Sequence, residues 1–254
     1  MTVVDKVVDK VVDTVPRRPL LFLGTTLVCS LPCYALNRLD VRVPFGLPPS
    51  VVMIGVPAAV AGTFVARDEG RRGVRRWLAS LVDVRRTPPR TLLTAALLMP
   101  AVHLVAAGLS GAVTPVTPSA AALTLVVFIL GAIPEELGWT AYATGPMQER
   151  FGVTGAGMVI GAVWAGWHVV PWLSMGHSWR WVAWQSAVTV AMRIIMGHLF
   201  RMSGRSAATA LLFHAVSNAS LEILPGAVEP RRTAIVATLL ILLAAGVTKV
   251  NRST

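Results

Sequence analysis

Two adjacent carboxylates, two imidazoles and a carboxamide lie inside long apolar runs of this chain: Glu135 and Glu136, His168, and His214 with Asn218. At membrane depth an ionisable side chain costs about 2.5–3.5 kcal/mol on insertion scales, so it is kept where it is paired, solvated by a cavity or in use. Neighbouring residues on a helix point about 100° apart, so only one of the two glutamates can look straight at a given partner. Pro134, just before them, lacks a donor and crowds the carbonyl four residues back, which predicts a bend at the glutamates. Trp164 and His168 are four apart and share a helix face, and Pro171 frees the carbonyl of Trp167 beside that imidazole. The same spacing puts His214 and Asn218 on one face.

A carboxylate and an imidazole can together hold and deprotonate a water, and an imidazolium or carboxamide can donate hydrogen bonds to a developing oxyanion. That set suits hydrolysis of a peptide bond. Two other readings use the same residues. Glu135, His168 and His214 can be three ligands of a zinc ion with water as the fourth, although the chain has no His-Glu-x-x-His helix motif. Each group can also be a bundle-core hydrogen bond without chemistry, though helix packing alone does not call for two carboxylates, two imidazoles and a carboxamide together.

The elements that must position these groups follow from composition. The 254 residues are 54% hydrophobic and 14% charged, with a mean hydropathy of +0.65, whereas a soluble domain carries about 25% charged residues. Apolar stretches near 19–36, 48–66, 91–109, 119–140, 154–173, 181–200, 206–224 and 232–248 each approach the about 20 residues a helix needs to span about 30 Å of hydrocarbon. We therefore expect an all-α, polytopic transmembrane bundle of about eight spans, a single membrane domain over residues 19–254 with its catalytic core at about 119–224. The three polar groups fall roughly midway along their stretches, so they can meet at similar depth. Within the N-terminal segment 1–18, residues 3–13 repeat Val-Val-Asp-Lys with a four-residue period, as an amphipathic surface helix or a loosely ordered tail would. No cleavable signal peptide is evident, so the first span should be an uncleaved anchor.

Charge sets the orientation. With the N-terminus inside, 17 Lys and Arg fall in inner segments and 5 in outer ones, Arg42 among the latter, which puts both termini in the cytoplasm. The net charge of +11 sits between apolar runs, not along a soluble face, so lipid headgroups are the expected partner and nucleic acid is not. Residues 67–90, with eight arginines against Asp68, Glu69 and Asp83, should be a headgroup-binding loop. Cys29 and Cys33 read as small core residues without a disulfide. His103, Gln185 and His198 are unusual at depth, His177 joins Trp172, Trp179, Trp181 and Trp184 in an interfacial aromatic belt, and Glu222 and Glu229 sit near a solvated end.

At Glu135-Glu136-Leu137-Gly138-Trp139-Thr140, Trp164 to His168 and His214 to Asn218 the chain resembles the CPBP intramembrane protease family. That family includes CAAX prenyl endopeptidases and bacterial proteins linked to bacteriocin processing and self-immunity. Its motifs are a glutamate pair followed four residues after the second by arginine, an aromatic residue four before a histidine, and a histidine four before asparagine or aspartate. The resemblance covers about 119–224 and implies an intramembrane endopeptidase. Glu135 and His168 would activate the water, His214 and Asn218 would stabilise the oxyanion, and Glu136 would support the site by holding a neighbouring helix. It further implies a metal-free and cofactor-free mechanism, a membrane-associated or lipidated peptide substrate, and residence in a bacterial plasma membrane.

One position departs from the pattern. Thr140 stands where the family has arginine, and a threonine cannot replace a fixed cation. Arg193, in the sixth stretch, reads first as pairing with a carboxylate or snorkelling towards the interface, and only as a lesser alternative as the source of that missing cation. Two other functions fit a site without its arginine: a membrane scaffold or immunity protein that keeps the family fold, and an ion-coupled transporter that uses the buried groups as a relay.

Overall fold

The computed structural model describes residues 17–39, 48–110, 117–223 and 229–250. The repeat in residues 1–16 and the orientation charges Lys6, Lys10, Arg42 and Arg252 lie outside the described residues. Eight α-helices follow in order: α1 Pro19–Ala35, α2 Val56–Ala79, α3 Pro89–Ser110, α4 Pro118–Gly138, α5 Gly145–Ser174, α6 Trp179–Met202, α7 Ala207–Ile223 and α8 Pro230–Val250. No strand occurs among the described residues, so the fold is all-α.

Local chemistry starts these helices. Proline opens α1, α3, α4 and α8, where its missing N–H costs nothing and its fixed φ suits the first turn. Thr117 caps α4 by accepting from the Ala120 amide, and Ser178 caps α6 by accepting from the Trp181 amide. All eight expected stretches are helical. Five helical stretches have the length and apolar composition of a membrane span: Pro19–Arg38, Pro49–Ala79, Pro89–Ser110, Pro118–Ser174 and Pro230–Val250. The fourth is 57 residues long, more than twice the about 20 that one crossing needs. Neither α6, which carries Arg180, Arg193 and Arg201, nor the 17-residue α7 is among the five.

Of the two expected consequences of proline, the first turned out differently. The helix runs on through Pro134, and its regularity changes first at Trp139–Thr144, which form a π-helical turn between α4 and α5, and again inside α5 at Gly152, with φ +69°. The widened turn is closed internally, with the Thr144 hydroxyl donating to the Trp139 carbonyl at 2.8 Å. At Pro171 the freed Trp167 carbonyl is real and is satisfied from α1, where the Tyr34 hydroxyl donates to it at 2.7 Å. The Trp167 indole N–H also donates to Ser30 Oγ at 2.7 Å. Cys29 is exposed and so is not a core residue, whereas Cys33 is half-buried and packs against the core; both thiols are free, on a helix whose far face is not covered by the bundle.

The contact that matters most for the site is between α5 and α6. Gly157 and Gly161 are buried on one face of α5. A Cβ on Gly157 would stand 2.6 Å from the Ile194 Cα, and one on Gly161 2.8 Å from the Val190 Cα and 3.2 Å from the Arg193 Cβ. Small residues four apart let two membrane helices approach backbone to backbone, and here they do so on both sides of Arg193. Gly161→Leu should therefore lower unfolding free energy by about 1–3 kcal/mol through overpacking. Gly166→Leu, where a Cβ meets nothing within 4 Å, is the control. Detergent-titrated unfolding that fails to separate the two variants would refute the close approach.

Candidate active site

Glu136 is fully buried, and every partner it has comes from a different direction. Arg193 of α6 grips it with both arms of the guanidinium, Nη2 to Oε1 at 2.7 Å and Nη1 to Oε2 at 3.0 Å. From α7, His214 donates through Nδ1 to Oε1 at 2.9 Å. The Thr140 hydroxyl, one turn on along the same helix, donates to Oε2 and accepts from Arg193 Nη1 at 3.1 Å. Arg193 is itself 3% exposed. A fork-shaped, desolvated pair of this kind fixes geometry as well as charge, and it ties α4 to α6 and α7.

The second glutamate has a different setting. Glu135, 6% exposed, accepts a 2.6 Å hydrogen bond from the indole N–H of Trp164. Trp164 also accepts, through its backbone carbonyl, a 2.9 Å hydrogen bond from His168 Nδ1. With its proton on Nδ1, His168 presents the lone pair of Nε2. The Trp164 ring further meets His214 edge-on at 4.9 Å between centroids and lies under the Arg193 guanidinium at 4.1 Å, a cation–π contact with a buried cation. Trp164 thus touches Glu135, His168, His214 and Arg193. Around His168 itself stand Trp167, at 4.8 Å, and Trp172, stacked at 5.1 Å.

His214 is held from both sides. Its Nδ1–H goes to Glu136, and its Nε2 accepts from the Asn218 amide at 3.1 Å. Asn218 borders a small cavity of about 10 Å³ that is also lined by His103, Gln185, Ser217 and Thr233, about the size of one water. His103 and Gln185 therefore approach the site from behind Asn218. His177 stacks on Trp181 at 3.8 Å, in the expected aromatic cluster at the turn between α5 and α6, while Glu222 is exposed.

All five sequence-predicted residues converge in this region, from α4, α5 and α7. Glu136, His214 and Asn218 are linked directly, whereas Glu135 and His168 are linked through Trp164. Sequence reasoning left two residues out of the site. Arg193 carried a signal, being an arginine mid-way along an apolar stretch, and Trp164 stood only as a spacing marker before His168. The zinc set is not assembled: both ring nitrogens of His214 are engaged by Glu136 and Asn218, and among the described residues no three His, Cys, Asp or Glu side chains are placed to hold a metal ion.

Comparison with known proteins supplies the kinship. Residues 117–220 match the family described as type II CAAX prenyl endopeptidase Rce1-like. The chain is also 24% identical over 188 residues, 66% of its own length and 69% of the relative's, to a protein named CAAX prenyl protease 2 from Methanococcus maripaludis. Over residues 117–220 the chain is thus similar to the family that its motif spacing resembles. The matched segment runs from the cap of α4 to the last turn of α7, so it holds every motif position of the resemblance together with Arg193. The apolar helices, together with this similarity to a membrane protease family, support an integral membrane protein. In this chain the guanidinium beside Glu136 comes from α6 instead of from four residues along α4, and Thr140 fills the gap as a bridge between them.

Proposed function

We propose that this protein is an intramembrane endopeptidase that hydrolyses a peptide bond of a lipidated, membrane-associated peptide in a bacterial plasma membrane, using a water activated by Glu135 and His168 without a metal. The observation that carries the proposal is the complete set of charges around Glu136, with Arg193 in the position that Thr140 leaves open. A retained but inactive scaffold drew its support from a missing cation, and the cation is present. An ion relay needs a carboxylate that can exchange its proton, and Glu136 is neutralised by a two-pronged pair.

In the proposed reaction His168 Nε2 accepts a hydrogen bond from the water and Glu135 takes its proton, as the hydroxide attacks the carbonyl carbon. Trp164 holds both residues, one through its indole N–H and one through its carbonyl. The developing oxyanion is met by Asn218, which has a second amide hydrogen beyond the one given to His214, and by His214 when Nε2 is protonated. Collapse of the intermediate returns the proton from Glu135 to the leaving amine, so the site ends as it began. The kinship with a CAAX prenyl endopeptidase family and with a CAAX prenyl protease supports a prenylated C-terminal peptide as the substrate class.

The test is hydrolysis by the purified protein in vesicles, with a farnesylated peptide and its unprenylated twin, read by mass spectrometry of the released C-terminal fragment. Hydrolysis of the farnesylated peptide that persists with a zinc chelator is expected; a folded protein that cleaves neither peptide overturns the reading. In the same assay Trp164→Phe keeps the ring but loses one hydrogen bond to a carboxylate, worth about 1.5–3 kcal/mol. The rate should fall about ten- to hundredfold.

A further inference from the structure

We infer that residues 71–90 form a docking surface for anionic phospholipid headgroups that is mechanically joined to the three helices carrying Glu135, Glu136, Arg193 and His214. The inference concerns a partner and a coupling, and it stands whether or not the site is hydrolytic.

The surface begins where α2 breaks. Gly70 has φ +65°, a left-handed conformation that glycine alone adopts without strain. It divides the apolar part of α2 from a basic part. The break is locked by Glu69, which receives Arg17 at 3.0 Å and Arg76 at 3.5 Å, and by Gly73, whose missing side chain lets the backbone lie against the Glu69 Cβ. Beyond it, at about 100° per residue, Arg71, Arg72, Arg75 and Arg76 fall on one face and Val74 and Trp77 on the other, with Leu78 bordering the arginines next to Arg71. Arg71, Arg72 and Arg75 are exposed. Beside them Leu78, Val82 and Val84 are 48%, 77% and 42% exposed. Exposed arginines flanked by exposed aliphatic side chains, at the end of a membrane-spanning stretch, suit a headgroup layer: the cations meet phosphate and the aliphatic groups enter the acyl boundary. A soluble polyanion would offer nothing to Leu78 and Val82.

The segment is fastened to the core at three points. Trp77 is buried and donates its indole N–H to the Leu137 carbonyl at 2.9 Å, one residue past Glu136 on α4. It fits a notch left by Gly62, whose Cβ would stand 3.2 Å from the indole. Further along, the Ser206 hydroxyl at the start of α7 donates to the Asp83 carbonyl at 2.5 Å, and the Thr87 hydroxyl donates to the Ser203 carbonyl at the end of α6, at 3.3 Å. A force that seats residues 71–90 therefore reaches α4, α6 and α7 through these three hydrogen bonds.

Hydrogen exchange of the full chain in nanodiscs tests both parts. Amides of 71–90 should exchange about tenfold or more slowly when phosphatidylcholine discs contain phosphatidylglycerol, and those of 135–141 should slow with them. Each arginine removed from a surface patch weakens its attraction to anionic lipid about fivefold, so a variant with Arg71→Gln, Arg72→Gln and Arg75→Gln should lose the lipid effect while α4 and α7 keep their protection in neutral discs. Trp77→Phe should keep the effect at 71–90 and lose it at 135–141. Equal exchange in the two lipids, or a triple variant that still responds, overturns the docking surface. Protection by a soluble oligonucleotide in neutral discs equal to that from phosphatidylglycerol reassigns it to another partner and overturns it too. A response confined to 71–90 in the unaltered protein overturns the coupling.

Discussion

Glu135→Gln should lower the rate of peptide hydrolysis by about 10²- to 10⁴-fold, the range expected for loss of a general base, while the protein stays folded. Glutamine has nearly the same shape as glutamate, and its side-chain oxygen can still accept from the Trp164 indole, so the 2.6 Å contact that orients the residue survives. What disappears is the capacity to take a proton. Single-turnover rates with a farnesylated peptide, compared with thermal unfolding of the same preparation, separate the two effects. A Glu135→Gln protein that turns over at the original rate would show that another group activates the water. His168→Ala is the companion variant, since His168 Nε2 is the lone pair offered to the same water.

The second large effect belongs to Arg193. Removing one partner of a buried ion pair leaves an uncompensated charge and costs about 3–5 kcal/mol, and Glu136 and Arg193 are 0% and 3% exposed. Arg193→Ala should therefore lose stability by about that amount, with activity lost as Glu136 and His214 shift. The decisive variant is the double one. In Arg193→Ala with Thr140→Arg, a guanidinium returns from one turn along α4, close to the carboxylate that Thr140 now touches. Partial recovery of both stability and hydrolysis is expected in the double variant. If Arg193→Ala alone is as stable and active as the original, the pair has no part in the site; if the double variant is no better than the single one, position 140 cannot supply the cation in this bundle.

Much of the helical layout was legible because the signal is local. Apolar runs of about twenty residues are long enough to stand out from any single polar position, so six of the eight helices appear within a few residues of the expected edges. The other two are extended by a polar segment across a glycine break: α2, preceded by a 3-10 turn at Pro49–Gly55, continues past Gly70 to Ala79, and α5 begins at Gly145, before Gly152. The groups of the site were legible for a related reason: carboxylates and imidazoles in apolar sequence are conspicuous. What the sequence did not reveal depends on how helices meet. The bidentate grip of Arg193 needs α6 within reach of α4, and the spacing of Gly157 and Gly161 that sets α6 beside α5 passes unnoticed unless one asks which small residues share a face. Trp164 was seen as a neighbour of His168 in one helix, and its indole reaches across to Glu135 in another. Cys29 was misplaced for the same reason, since apolar surroundings in sequence do not say which face of a membrane helix meets protein and which meets lipid.

The origin of the guanidinium has a consequence for how the protein is made. A cation four residues after Glu136 would be present as soon as that stretch coiled into a helix. Arg193 lies 57 residues downstream, so during synthesis α4 exists for some time with a carboxylate that has no counter-charge. In that interval the half-made protein holds a group costly to leave in lipid and has no completed centre, so the reactive arrangement arises only when the later helix docks.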